Sequence, residues 1–244
     1  MADKMSEFSI QSLTGGVNSH TTTGKILSTK NHPSIAKRLC RPAIKSHPSM
    51  TGGSLETDIA VILFPGNNCE NETARAIEAV GMNAEIIRWN QREKLGSYDG
   101  YVLGGGWAHE DRIRAGVIAA KDPIMKKIRA EAKKAKPVLG ICNGAQVLIE
   151  TGLVPGLKNE VEMALAPNIN PFVSGYYCTW IKIKNIEGNA SIFTKALKPN
   201  EVIRIPIAHG EGRFTTIEQG LLKEFINDLA CFVAVPENNL IFID

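Results

Sequence analysis

From Asp58 onward, short apolar runs alternate with helical segments. "IAVILF" (Ile59–Phe64) reads as a buried strand, followed by the loop "PGNNCEN" and a helix "ETARAIEAV" stopped by Gly81. "AEIIRW" (Ala84–Trp89) predicts a second strand and "GYVLGG" (Gly100–Gly105) a third. Two helices are expected next, around "DRIRAGVIAAK" and "DPIMKKIRAEAKKA", the second with Asp122 as N-cap ahead of Pro123 at the first helical position. "PVLGI" (Pro137–Ile141) is the fourth strand. Strands that alternate with helices predict an α/β fold with a flavodoxin-like open parallel sheet covered on both faces, in which loops gather at the carboxyl ends of the strands.

The first 57 residues lack sustained apolar periodicity and are rich in Ser, Thr and Gly, so they read as a disordered extension, with residues 58–244 forming one domain. The extension also accounts for the basicity. It carries 7 Lys and Arg against 3 Asp and Glu, which leaves 21 and 22 of the chain's 28 and 25 for the remainder. A near-neutral body offers no basic field for nucleic acid. A Ser/Thr-rich basic N-terminus also has the composition of an organelle transit peptide, but its arginines are only Arg38 and Arg41. His20, His32 and His47 are too widely spaced for a metal site, and no apolar run reaches the roughly 20 residues of a membrane span. An odd count of five cysteines without metal-type spacing fits a reducing, cytoplasmic setting.

One cysteine stands apart. Gly140-Ile141-Cys142-Asn143-Gly144 is a G-x-C-x-G sequence between the fourth strand and the helical "GAQVLIETG". Flanking glycines permit a tight strand-to-helix elbow that holds the thiol above the sheet. At a helix N-terminus the dipole and free N–H groups favour the thiolate, so Cys142 is expected to have a lowered pKa. A small buried apolar cysteine would fit the same local pattern. "LGGGWAHED" (Leu103–Asp111) follows the third strand, where glycine N–H groups can approach a developing oxyanion, the N–H of Asn143 being the second donor. Together these are two parts of an acyl-transfer site.

The motifs "FPGNNCENET", "GGGWAHEDRIRAG", "KPVLGICNGAQVLIETGLVPG", "MALAPN" and "EVIRIPIAHGEGRF" resemble those of the class I glutamine amidotransferases, from about Ile59 to the end of the chain. The first, second and last resemble the glutaminase subunits that serve purine synthesis. The resemblance implies that Cys142 attacks the side-chain amide of glutamine, forms a γ-glutamyl thioester and releases ammonia. Gly105, Gly106 and Asn143 would form the oxyanion hole, and Gln146, His209, Gly210 and Glu211 would hold the substrate. It further implies a separate synthetase subunit as partner, with a small accessory subunit in the same complex. ATP and magnesium belong on the synthetase, which amidates formylglycinamide ribonucleotide; no cofactor or metal is expected on this chain, and no glycine-lysine phosphate loop occurs in it.

Two departures from the family pattern stand out. Gly104 occupies the place of a proline, and no His-Pro-Glu segment occurs before Asp244, so the chain reads as a C-terminally truncated catalytic subunit. Of the histidines in residues 58–244, His109 reads as a loop side chain facing solvent or the partner, and His209 as part of the substrate side. Cys69 reads as a structural or substrate-loop residue, and Cys178 and Cys231 as core. Asp111, Arg112 and Arg114 read as a solvated helix start or as contacts to the synthetase. A stand-alone cysteine hydrolase and a catalytically incomplete binding subunit are the alternatives.

Overall fold

The first apolar run becomes the central strand. In the computed structural model, β1 (Asp58–Leu63) pairs in parallel with β2 (Asn83–Arg88) on one side and with β3 (Gly100–Leu103) on the other, and β4 (Val138–Gly140) extends the sheet beyond β3. The structure describes residues 57–158, 160–169, 175–185, 191–218, 220–221 and 232–234. The expected N-terminal extension, apart from Thr57, and Cys231 lie outside the described residues.

Alternation along β1 explains the two layers. Ile59 and Val61 face one side and pack with Val102 and with Ile77 of α1 (Glu70–Ala79). Ala60 and Ile62 face the other and join Leu103, then Ile124, Met125 and Ile128 of α3 (Pro123–Ala132) and Val147 and Leu148 of α4 (Asn143–Glu150). The parallel sheet with helices on both faces is therefore as the sequence predicts. Asp122 caps α3 as expected, its carboxylate accepting from the Ile124 N–H at 2.8 Å, with Pro123 at the first helical position.

The helix expected across residues 111–121 is mostly absent. Only α2 (Val117–Lys121) is helical, and Gly116 ahead of it has φ +79°. Residues Ala108–Asp111 form a short 3-10 turn, and His109, Glu110, Asp111 and Ile113 all have positive φ. The periodicity of "DRIRAG" is overridden by tertiary anchors: Asp111 and Arg114 turn inward onto Asn143 and Glu150 of α4. Asp111 is thus not part of a solvated helix start, while Arg112 and Arg114 keep exposed side chains, 69% and 49%.

Beyond α4, antiparallel pairs follow that the sequence reading did not anticipate. β5 (Ala164–Pro167) pairs with β8 (Glu211–Thr215), while β6 (Tyr177–Asn185) lies between β7 (Val202–His209) and β9 (Phe232–Ala234). Cys178, expected in the core, is exposed, on the same side of β6 as the exposed Trp180.

Glu131 at the end of α3 is only 4% exposed, and it is paired with Lys134 at 2.7 Å and Lys136 at 3.0 Å. Hydrogen bonds from Lys134 and then Lys136 hold its carboxyl below the usual range. A depressed carboxylate adds stability above its unfolded pKa of about 4.3 and loses it as pH falls through the folded value. Glu131→Gln should therefore flatten the fall in melting temperature between neutral and acid pH; an unchanged pH profile would refute the assignment.

Among the described residues no helix is long and apolar enough to cross a membrane.

Candidate active site

The chain runs from β1 outward to β2, then back across to β3, so the crevice at the carboxyl ends of β1, β3 and β4 is the switch point of the sheet. Three loops meet there. The loop after β1 is zipped to the glycine loop after β3: Trp107 N–H donates to the Gly66 carbonyl at 3.1 Å, His109 N–H to the Pro65 carbonyl at 2.6 Å, and Asn67 Nδ2 to the Gly105 carbonyl at 3.3 Å. Gly106 has φ +126°, and a Cβ there would lie 2.8 Å from Asn67 Cα, so only glycine allows this closure.

The elbow follows β4. Cys142 has φ 54° and ψ −113°, a conformation that belongs to glycine rather than to residues with a side chain. Gly144 sits directly on the Leu103 carbonyl, and a Cβ on Gly140 would come 2.6 Å from the Gly144 oxygen. Ile141 N–H donates to that same Leu103 carbonyl at 3.0 Å, pinning the turn to β3. The backbone N–H groups of Asn143 and Gly106 are close enough to the sulfur to favour its thiolate. Gly105 closes in from the same side, its Cβ direction pointing to within 3.5 Å of Cys142 Cβ and 3.6 Å of Cys69 Sγ.

Burial nonetheless wins at the thiol. Cys142 is exposed toward the cleft, but crowding around its sulfur raises its pKa; the Asn143 and Gly106 N–H groups lower it, and Cys69 and Asp111 oppose them. The expected lowering does not occur, because the helix-end donors are outweighed by desolvation. Burial likewise raises Cys69, with Glu72 and Glu70 adding to it.

The substrate-side residues named in the sequence also reach this place. A cleft of about 840 Å³ is lined by Gly105, Gly106, Cys142, Gln146, His209, Gly210 and Glu211, with Cys69, Trp107, Asp111 and Tyr176 among its other walls. The Cys142 thiol donates to the Ala208 carbonyl at 3.4 Å, which docks the end of β7 on the elbow. Gln146 Nε2 donates to the Glu211 carbonyl at 3.2 Å. Burial raises the Glu211 carboxyl, as do Asp111 and Glu150, whereas Arg114 lowers it.

His209 is held by a residue to which the sequence reading gave no role. Asn168 accepts from the Gly212 N–H at 3.0 Å, so its amide nitrogen is the donor to the His209 carbonyl at 2.8 Å and to Nδ1 at 3.1 Å. An Nδ1 that accepts leaves the ring proton on Nε2. Burial lowers the pKa of His209, keeping the ring neutral at pH 7. His109 does not face solvent: its ring packs on Phe64 with centroids 6.1 Å apart, and its Nε2 is buried.

Residues 56–234 match the CobB/CobQ-like glutamine amidotransferase domain. The chain is 43% identical over 177 residues to the phosphoribosylformylglycinamidine synthase subunit PurQ of Methanothrix thermoacetophila, covering 70% of this chain and 67% of that protein. It is 42% identical over 155 residues to PurQ of Pyrococcus furiosus, covering 64% of each. These matches span about two thirds of the relatives' length. Among solved structures it resembles PurLQS from Thermotoga maritima, with a TM-score of 0.63 and 30% identity over 75% of this chain and 76% of that one. With an elbow cysteine at the switch point of a parallel sheet and a domain match across most of its length, the chain belongs to the CobB/CobQ-like glutamine amidotransferase family.

Proposed function

We propose that this chain is the glutaminase component of a phosphoribosylformylglycinamidine synthase. It would release ammonia from glutamine for a synthetase subunit that amidates formylglycinamide ribonucleotide in purine synthesis, in the cytoplasm. The elbow carries the reading: a strained Cys142 at a helix start, faced by the glycine loop, at the mouth of a cleft.

The Cys142 sulfur attacks the carboxamide carbon of glutamine. As the carbonyl oxygen becomes an oxyanion, the N–H groups of Gly106 and Asn143 beside the sulfur are the donors available to it. The proton given up by the thiol passes to the amide nitrogen, the C–N bond breaks, ammonia leaves, and a γ-glutamyl thioester remains. Water then adds to the thioester and glutamate departs, so glutamine plus water gives glutamate plus ammonia. The glycine loop is turned onto the cysteine and is followed by Trp107 and Ala108 rather than a lysine, so it has no phosphate-cradling pattern. ATP and magnesium are assigned to the synthetase, with which a small accessory subunit completes the complex; the names PurQ and PurLQS of the relatives support that partnership.

Labelling tests the reading. The chloroketone analogue of glutamine should alkylate Cys142 before Cys69 or Cys178, with loss of chloride, and glutamine should protect. Because burial raises the thiol above its usual value of about 8.5, the rate should keep climbing with pH past that point. Alkylation of another cysteine first, or no protection by glutamine, would overturn the assignment.

A further inference from the structure

The Asn143 side chain is only 1% exposed and lies at the centre of a chain of hydrogen bonds. Its Oδ1 accepts from the Ala108 N–H at 2.9 Å, and its Nδ2 donates to Asp111 Oδ1 at 2.9 Å and to Gln146 Oε1 at 2.9 Å. Gln146 passes the connection on to the Glu211 carbonyl. Four segments are thus joined through two linked amides, Asn143 and Gln146: the end of the glycine loop, the turn at Asp111, α4, and the strand after His209.

The joined loop is strained. Three successive residues, His109, Glu110 and Asp111, have positive φ, and the β-branched Ile113 has φ 72°. Such a run persists only where its surroundings over-determine it. Asn143 holds Ala108 and Asp111 at one end of the run. Seven residues on along the same face of α4, Glu150 takes Arg114 at the other end through a two-pronged ion pair with N–O distances of 2.8 and 2.6 Å. Gly106, which lines the same cleft as Cys142, lies two residues before Ala108.

We infer that the Asn143 side chain is a positioning residue that clamps the strained loop onto the elbow and so keeps the Gly106 N–H aimed at the reacting centre. The role is separate from that of the Asn143 backbone N–H, and it rests on the glutaminase reading above. Nothing else in α4 can replace it: an acceptor for Ala108 and a donor for Asp111 are needed at one point, and an amide supplies both.

The test uses the full chain with Asn143→Ala, Asn143→Asp, and Asn143→Asp combined with Asp111→Asn. Three readouts are compared: alkylation of Cys142 by the chloroketone glutamine analogue, alkylation by iodoacetamide, and hydrogen exchange at the Gly106 and Ala108 amides. Iodoacetamide needs only an accessible thiol, whereas the chloroketone needs its carbonyl seated. Asn143→Ala should slow the chloroketone by roughly 10–100-fold, less than the roughly 10²–10³-fold cost of removing an oxyanion donor outright, leave iodoacetamide little changed, and speed exchange at both amides. Asn143→Asp sets a carboxylate against Asp111 and should be worse. Adding Asp111→Asn reverses donor and acceptor at that contact and should restore part of the loss, the remainder reflecting Gln146 Oε1, which then faces a carboxylate. The clamp is refuted if both reagents slow equally, or if the reversed pair is no better than Asn143→Asp alone. Should the unsubstituted chain react with iodoacetamide but not with the chloroketone, the glutaminase reading fails by itself, and the amides then decide: unchanged exchange in Asn143→Ala rejects the clamp and faster exchange upholds it.

Discussion

Replacing Cys142 with glycine should abolish glutamine-dependent ammonia release and make the protein more stable. The two effects have separate causes in one residue. Loss of the sulfur removes the atom that forms the thioester, and nucleophile removal is expected to cost at least about 10³-fold. Glutamate release by the chain with its synthetase partner measures this. Amidation driven by added ammonium salt should survive, since free ammonia needs no thioester. The gain in stability comes from φ 54° and ψ −113°, which glycine adopts without penalty. Backbone strain of this kind is worth roughly 1–3 kcal/mol, and each kcal/mol moves the melting temperature of a domain this size by about 2–4 °C. Cys142→Ala serves as the control, because it loses the sulfur and keeps the strain. A glycine variant that melts no higher than the alanine variant would show that the elbow stores no strain.

That elbow was legible in the sequence because its signal is local: glycines at Gly140 and Gly144 around Cys142, after an apolar run and before a helical one. The same holds for β1, β3, β4 and the Asp122 cap of α3, where apolar period and capping chemistry act over a few residues. What failed was what depends on distant partners. The loop at Asp111 has a helical pattern, but Asn143 and Glu150, more than 30 positions away, pull it out of the helix. The thiol's helix-end position was visible while the crowding of its sulfur was not, and the sign of its pKa shift came out reversed. Asn168, 41 residues from His209, sets the tautomer of that ring, yet "MALAPN" had suggested no role for it. The apolar neighbours of Cys178 suggest a core position, whereas strand alternation sends it outward beside Trp180.

The largest structural effect is expected from Gly144→Ala. A Cβ at this position would overlap the Leu103 carbonyl. Leu103 cannot yield easily, because it is paired with Ile62 of β1 and with Gly140 of β4, and its oxygen also accepts from Ile141 at 3.0 Å. The helix therefore has to lift from the sheet, taking Val147 and Leu148 out of the core and breaking the bond that pins the elbow. Overpacking of an interior typically costs about 1–3 kcal/mol, and a clash against fixed backbone belongs at or beyond the upper end, a fall of roughly 6–12 °C in melting temperature at 2–4 °C per kcal/mol. Two other glycines calibrate the scale. Gly81 has φ +83° but open space around its Cβ direction, so Gly81→Ala carries only the left-handed penalty of about 1–2 kcal/mol. Gly96 has neither obstruction nor positive φ, and Gly96→Ala should be neutral or stabilise slightly, by about 0.5 kcal/mol, through the unfolded chain. Thermal melts of the three variants should rank in that order. Cys142 in Gly144→Ala should also lose its preference for the chloroketone over iodoacetamide, since lifting α4 carries the Asn143 N–H away from the sulfur. If Gly144→Ala melts no lower than Gly81→Ala, α4 does not rest on β3 as closely as the carbonyl contact requires.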